Sequence, residues 1–251
     1  MNHYYETHYG QNPTPARIKV IAKMLAARLG PKSRWLDIGC GNMDCSVALL
    51  EELRRLGVTS EITITGWDIS DAAVKRVRER GFTSEVHDVS AGEVSDAEQS
   101  AYDVVLFLEV IEHLVDTDTA IRNVHSLLVP NGLLILSTPN LAAWYNRLLL
   151  LLGFQPHGTE VSYARYRFGC QFFARMLGEV PGVSEATAGH LRVFTLRALK
   201  EFLAYHQFRI VKISGISNHR WDLIGRAVSL LWPAASGNVA VVAVCLREGP
   251  K

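Results

Sequence analysis

Residues 102–110, YDVVLFLEV, are apolar with almost no alternation between faces. A strand of that kind is buried on both sides, which requires a sheet covered by helices above and below, and such sheets are mostly parallel. The neighbouring sequence supplies the covering layers. Residues 34–39 (RWLDIG) read as a short buried strand, 44 or 45 to 56 as a helix stopped by Gly57, and 61–69 (EITITGWDI) as an alternating strand. A helix over 71–80 stopped by Gly81, a third strand over 84–89, a helix over 118–128, a turn at Pro130-Asn131-Gly132 and a buried strand over 133–138 come next. This alternation is the doubly wound α/β pattern of a mostly parallel sheet.

Ahead of it, Ile18, Ile21, Leu25 and Leu29 form a helical stripe, with Pro15 in the first turn, and read as a cap or lid helix. The alternation stops after residue 140. From there the chain has no clean period until a helix over 195–206 and two β-rich runs, 208–215 and 238–247. The expected organisation is a cap over 1–32, a cofactor-binding core over 33–140, a substrate-selecting insertion over 141–194, and completion of the core over 195–251. A chain of 251 residues buries roughly 70–75% of its unfolded surface, so no disulfide or structural metal is needed. Cys40, Cys45, Cys170 and Cys245 contain no CxxC pair and point to a reduced, cytoplasmic setting. The greasiest stretches, 148–154 and 223–246, are too short or too interrupted to span a bilayer.

The first chemical signal is Asp37-Ile38-Gly39-Cys40-Gly41-Asn42, where the first strand gives way to a helix. Strand ends and helix N-termini converge at this edge of a parallel sheet, and ligands bind there. Gly39 and Gly41 allow close approach of backbone. The third glycine of a dinucleotide fingerprint is replaced by Asp44, and Asp37 stands at the strand mouth, so a diphosphate is disfavoured and a cation welcome. Asp68 ends the second strand, where a carboxylate can accept both ribose hydroxyls. It could instead cap the following helix, although Ser70 is available for that. Asp88 ends the third strand, placed for an exocyclic amine, with Ile69 and Val89 flanking a flat ring. A cationic molecule bearing ribose and adenine but no phosphate fits three such acids, and S-adenosylmethionine is one.

The strings WLDIGCGN, GWDIS, HDVS and YDVVLFLEVIEHL…LLVPNGLLILSTPN resemble the class I S-adenosylmethionine-dependent methyltransferases across residues 33–140. The resemblance implies that Asp37 and Gly39, in one turn with Cys40 and Gly41, hold the methionine end. It implies Asp68 at the ribose, Asp88 with Val89 at the adenine, and Glu109 at the methyl-transfer edge. It also implies a seven-stranded sheet whose last two strands form an antiparallel pair.

Glu109, Glu112 and His113 end the central strand at i, i+3 and i+4, one face of a helical turn. Such a cluster can bind a divalent cation of the Mg or Mn type, can use His113 as a general base with its pKa raised by the acids, or can simply favour a helix N-terminus. EVIEHL looks like two branches of the family: ubiquinone-pathway O-methyltransferases, and small-RNA 3′-terminal 2′-O-methyltransferases that hold a metal with two Glu and two His. His190 is the candidate fourth ligand, with His157 as a second. The basic extensions of the RNA branch are not evident, and a formal net charge of +1 argues against a surface that grips a polyanion throughout.

Residues 141–200 hold seven Lys or Arg against three acids, whereas 96–118 hold seven acids and no Lys or Arg. The basic insertion suggests an anionic acceptor held by Arg165 or Arg167, with Tyr163 and His190 nearby and aromatic residues as walls. An apolar segment over 144–154 with a Trp-Tyr-Asn-Arg shoulder suggests a membrane contact, against the alternative of packing on the sheet. The expected function is S-adenosylmethionine-dependent O-methylation of a small-molecule or lipid- or glycan-linked acceptor. The alternatives are a metal-dependent RNA 2′-O-methyltransferase and a non-catalytic cofactor-binding or scaffolding module.

Overall fold

The structure is a computed structural model and describes residues 13–162, 168–169, 189–217 and 223–247. Its centre is a seven-stranded sheet. The strands are β1 (Lys32–Ile38), β2 (Glu61–Asp68), β3 (Thr83–Val86), β4 (Tyr102–Leu108), β5 (Leu128–Pro139), β6 (Phe208–Ile216) and β7 (Asn238–Cys245). They lie in the order β3-β2-β1-β4-β5-β7-β6. The first five pair in parallel, and β7 runs antiparallel to both β5 and β6. This is the doubly wound α/β sheet with a late antiparallel pair.

Helices α1 (Pro15–Leu25), α2 (Asp44–Arg55), α3 (Asp71–Glu79), α4 (Thr117–Leu127), α5 (Trp144–Leu151), α6 (Leu196–Tyr205) and α7 (Leu223–Leu231) complete the described fold. The central strand behaves as its composition demands. Val105 and Phe107 point into a core with Ile121 and Val124 of α4 and Leu199 and Leu203 of α6. Val104 and Leu106 point into the opposite core with Ile18, Ile21 and Leu25 of α1 and Leu49 and Leu53 of α2. With side chains alternating across the pleat, both faces of β4 are covered.

Four details differ from the sequence reading. The third strand ends at Val86, so Asp88 sits in the loop beyond it: β3 is a sheet edge with few partners, and Val86 itself is half exposed. The turn at Pro130-Asn131-Gly132 does not precede β5 but lies within it, with Asn131 in the left-handed region at φ 63°. The helix expected over 118–128 starts one residue earlier, capped by the Asp116 carboxylate on the Thr119 N–H. An unanticipated helix, α7, crosses β6 at Gly215, where a Cβ would lie 2.6 Å from the Ser229 carbonyl oxygen. In the insertion, α5 buries Asn146 and Leu149 and leaves Leu148, Leu150 and Leu151 exposed. Among the described residues no helix is long and apolar enough to cross a membrane.

Candidate active site

The site forms at the carboxyl ends of β1, β2 and β4. Gly39 leaves β1 at φ 72°, and a Cβ there would lie 2.6 Å from Val110 Cγ2. The glycine therefore serves two needs at once: the left-handed turn and the close approach of the segment after β4. The Gly39 and Cys40 N–H groups donate to the Trp67 carbonyl at 2.8 and 3.1 Å, which ties the turn to β2. Cys40 fits over Gly66, where a Cβ would meet its Sγ at 2.7 Å, and burial pushes its thiol pKa up.

Asp68 accepts from the Gly41 N–H on Oδ2 and the Ser70 N–H on Oδ1, both at 2.9 Å. Burial raises its pKa and these donors lower it, leaving a net rise. Ser70, not Asp68, caps α3, its Oγ accepting from the Ala73 N–H. Asp68 lines a cavity of about 270 Å³ with Ile69, Asp88, Val89, Val110 and His113. Asp88 uses Oδ1 for both the N–H and the hydroxyl of Ser90, at 2.9 and 2.6 Å, and Oδ2 carries no hydrogen bond among the described residues. Asp37 is buried at the foot of an adjoining cleft lined by Gly39, Cys40, Gly41 and Glu109. Ser46 Oγ donates to it at 2.6 Å, and burial, with the Asp68 charge adding, pushes its pKa up to about 7.

S-adenosylmethionine fits these residues. The acids Asp68 and Asp88 and the apolar walls Ile69 and Val89 share one cavity, and Asp37 faces the cleft beside it. Ile69, 40% exposed, is an apolar side chain left open at the cavity wall, as a stacking surface for a flat ring would be.

The segment after β4 is not the helical turn that its spacing suggests. Glu109 takes a left-handed φ of 55°, and only Ile111–His113 form a single 3₁₀ turn. Glu109 consequently parts from the other two. Its Oε1 accepts from Ser137 Oγ and its Oε2 from Asn238 Nδ2, both at 2.7 Å, and Arg17 Nη2 of α1 lies 3.7 Å from Oε2. Glu112 is buried, accepts from Thr138 Oγ1 at 3.0 Å, and has its pKa raised by burial and by Glu109. Its carbonyl accepts from the Leu191 and Arg192 N–H groups, drawing the segment around His190 onto the turn.

Donor atoms of Glu112, His113 and His190 all lie within 4.8 Å of one another. His113 Nδ1 meets the Gly189 carbonyl at 3.2 Å and His190 Nδ1 the Gly158 carbonyl at 2.8 Å, so each Nδ1 carries a hydrogen there. Of the four expected ligands, three converge and Glu109 does not. The expected rise in the His113 pKa is also corrected: burial first, and His190 second, lower it to about 4. His157 stands away from the cluster, its backbone held by the Asn146 side chain. Tyr163, Arg165 and Arg167 lie outside the described residues. Arg17, Ser137, Thr138 and Asn238 were missed by the sequence reading. Ser137 and Thr138 lie within the last three residues of β5 and Asn238 begins β7, which is the available signal, whereas Arg17 shows only as a polar position within an apolar helix.

Comparison with known proteins agrees with this geometry. Residues 8–213 match the family model described as a methyltransferase domain. The ubiquinone biosynthesis O-methyltransferase of Xanthomonas axonopodis pv. citri is 35% identical over 181 residues, 70% of this chain and 65% of that protein. The 27-O-demethylrifamycin SV methyltransferase of Amycolatopsis mediterranei is 33% identical over 121 residues, 46% of this chain and 41% of that protein. The chain thus spans 41% to 65% of the length of these two curated relatives. In fold, it superimposes on a crystal structure of a S-adenosylmethionine-dependent methyltransferase from Methanosarcina mazei with a TM-score of 0.60 at 18% identity, covering 90% of this chain and 98% of that one. With the family model spanning most of the sequence and the acids set around one cavity at the strand ends, the chain belongs to the class I S-adenosylmethionine-dependent methyltransferases.

Proposed function

We propose that the chain is an O-methyltransferase that uses S-adenosylmethionine on a hydroxyl of a small-molecule or lipid- or glycan-linked acceptor. The observation that carries this reading is the Glu112–His113–His190 cluster, because His113 also lines the cofactor cavity. A hydroxyl must shed its proton as it is methylated, and this cluster offers the acceptor. With its pKa near 4, His113 is neutral at pH 7, and its Nδ1 is engaged by the Gly189 carbonyl, which leaves the Nε2 lone pair to take a proton. When bound, S-adenosylmethionine supplies the electrophilic methyl. The residues around it orient: Asp68 and Asp88 fix the adenosyl part, and Glu109, held by Ser137 and Asn238, sets a fixed negative charge at the cleft.

A second reading of the same cluster is a divalent cation. Two imidazoles, each donating Nδ1–H to a backbone carbonyl, are held as metal-bound histidines are held, and a buried carboxylate completes three ligands. One experiment separates the readings. Purified protein and isotope-labelled S-adenosylmethionine are incubated with a metabolite extract, with and without exhaustive chelation. Label on an oxygen-linked methyl supports O-methylation, label on nitrogen or carbon overturns it, and activity unchanged by chelation removes the cation. Calorimetry that finds no binding of S-adenosylhomocysteine removes the whole reading.

A further inference from the structure

Gly189 stands between Glu160 and the His113 ring. Its N–H donates to Glu160 Oε2 at 3.0 Å, and its carbonyl accepts from His113 Nδ1 at 3.2 Å. The residues after it are tied down as well. His190 Nδ1 donates to the Gly158 carbonyl at 2.8 Å, and the Leu191 and Arg192 N–H groups donate to the Glu112 carbonyl at 2.7 and 3.0 Å. Residues 158–160 thus hold 189–190, and the turn after β4 holds 191–192.

This arrangement decides where the hydrogen of His113 sits. In a neutral imidazole one nitrogen carries the hydrogen and the other the lone pair, and the partner of one nitrogen fixes the role of the other. A carbonyl can only accept, so the Gly189 oxygen keeps the hydrogen on Nδ1. That carbonyl needs holding, because Gly189 has a left-handed φ of 75° and a glycine backbone turns more freely than any other. The angle φ relates the N–H side of the residue to its carbonyl side. With the following residues fixed on Gly158 and Glu112, the N–H side is the remaining hinge, and the Glu160 carboxylate pins it. Glu160 itself lines neither the cofactor cavity nor the cleft at the glycine turn.

We infer that Glu160 is a positioning residue of the methyl transfer: by accepting from the Gly189 N–H it holds the Gly189 carbonyl against His113 Nδ1 and leaves the His113 Nε2 lone pair open for the acceptor's proton. The inference rests on the function proposed above, in which His113 takes that proton, and adds the residue that sets its tautomer. A carboxylate that merely braced residues 158–160 against 189–190 would leave the ring as it is when removed. The two roles therefore differ in what the ring nitrogens report.

The test uses the full chain with isotope-labelled histidine, treated with chelator and free of cofactor, at neutral pH. Ring-nitrogen NMR, with His113 identified by the signals lost in His113→Gln, should place the hydrogen on Nδ1 in the parent. Glu160→Ala should spread it over both nitrogens, and Glu160→Gln, whose amide oxygen can still accept from Gly189, should return it to Nδ1. In the labelled-methyl assay with the metabolite extract, Glu160→Ala should lower the rate at saturating S-adenosylmethionine about 10- to 100-fold, and Glu160→Gln should recover most of it, while the Kd for S-adenosylhomocysteine holds. Melting curves check that each variant folds, and Glu160→Asp, whose shorter side chain falls short of the Gly189 N–H, replaces Glu160→Ala if that variant melts early. A His113 ring that keeps its hydrogen on Nδ1 in Glu160→Ala overturns the inference, as does hydrogen on Nε2 in the parent or a Gln variant no better than Ala. Transfer that survives His113→Ala, or failure of S-adenosylhomocysteine to bind, is a separate outcome and removes the underlying function instead.

Discussion

Asp37→Asn converts a buried carboxyl with a pKa near 7 into a neutral amide of nearly the same shape, and its consequence for stability can be worked from the structure. Burial is the main cause of the raised pKa; the Asp68 charge adds to it and the Ser46 hydroxyl works against it. Between the ordinary value of 3.8 and about 7, the folded chain keeps this proton while the unfolded chain has released it. Stability from this group is therefore fully present below pH 3.8 and is lost as pH rises through about 7. The interval from 3.8 to about 7, at about 1.36 kcal/mol for each pH step, makes the loss about 4 kcal/mol. Asn has no such dependence, and its Oδ1 can still accept from Ser46. Urea unfolding of the cofactor-free proteins from pH 4 to 9 should show the variant gaining on the parent as pH rises, by about 4 kcal/mol in all. Saturating S-adenosylmethionine should narrow the gap above pH 7, because the parent binds the cation better and a ligand of the folded state stabilises it by mass action. A stability difference that stays flat across the pH range would refute the reasoning.

Asp68→Ala removes a carboxylate from the cofactor cavity, and by calorimetry the Kd for S-adenosylhomocysteine should rise about 10- to 100-fold, as expected for charged hydrogen bonds. His113→Ala should lower kcat about 10²- to 10⁴-fold in the labelled-methyl assay, the range of a lost general base; an unchanged kcat would exclude it from proton transfer. Gly39→Ala places a Cβ against Val110 at a left-handed φ, so it should destabilise by about 1–3 kcal/mol and depress activity. Val110→Ala in the same chain should restore part of that loss, and a strictly additive double-mutant cycle would deny the contact.

The sheet was legible because burial leaves a local imprint. Val104 through Phe107 are apolar on both faces, and the structure covers both, with α1 and α2 on one side and α4 and α6 on the other. Asp37 and Asp68 could be placed because each is the last polar residue of a buried strand, and position along a parallel strand fixes which edge it reaches. Errors came where an edge or a turn decides. Nothing in HDVS says that β3 loses its partner after Val86, and the Asp88 carboxylate then folds back on Ser90 instead of ending a strand. The helical spacing that groups Glu109 with Glu112 and His113 is cancelled by the Glu109 φ of 55°. A residue in that conformation turns the chain out of β4 without starting a helix, so a three-residue interval no longer means a shared face.

The remaining parts of the site were illegible for a deeper reason. Glu109 is held by Ser137, 28 residues on, by Asn238, 129 residues on, and is approached by Arg17 from the first helix. No periodicity joins such positions; only the order β4-β5-β7 brings Ser137 and Asn238 beside the end of β4. Charge counting alone does not place a charge. Of the seven bases of 141–200, Arg147 bonds the Ala142 and Ala234 carbonyls and stacks over Trp232, and Arg192 bonds the Val115 carbonyl, whereas Arg165 and Arg167, the expected holders of an anionic acceptor, lie outside the described residues. A net charge along the chain records how many charges a segment carries, and the sheet decides which of them face a ligand. In the cavity beside the glycine turn it turns Asp68 and Asp88 inward, and in a cavity of about 240 Å³ at the ends of β5 and β7 the described lining holds no Lys, Arg, Asp or Glu. The acids of the first cavity can each be read from one position beside a strand end, whereas the second cavity is lined by residues as far apart in sequence as Pro139 and Asn238, which only the folded sheet assembles.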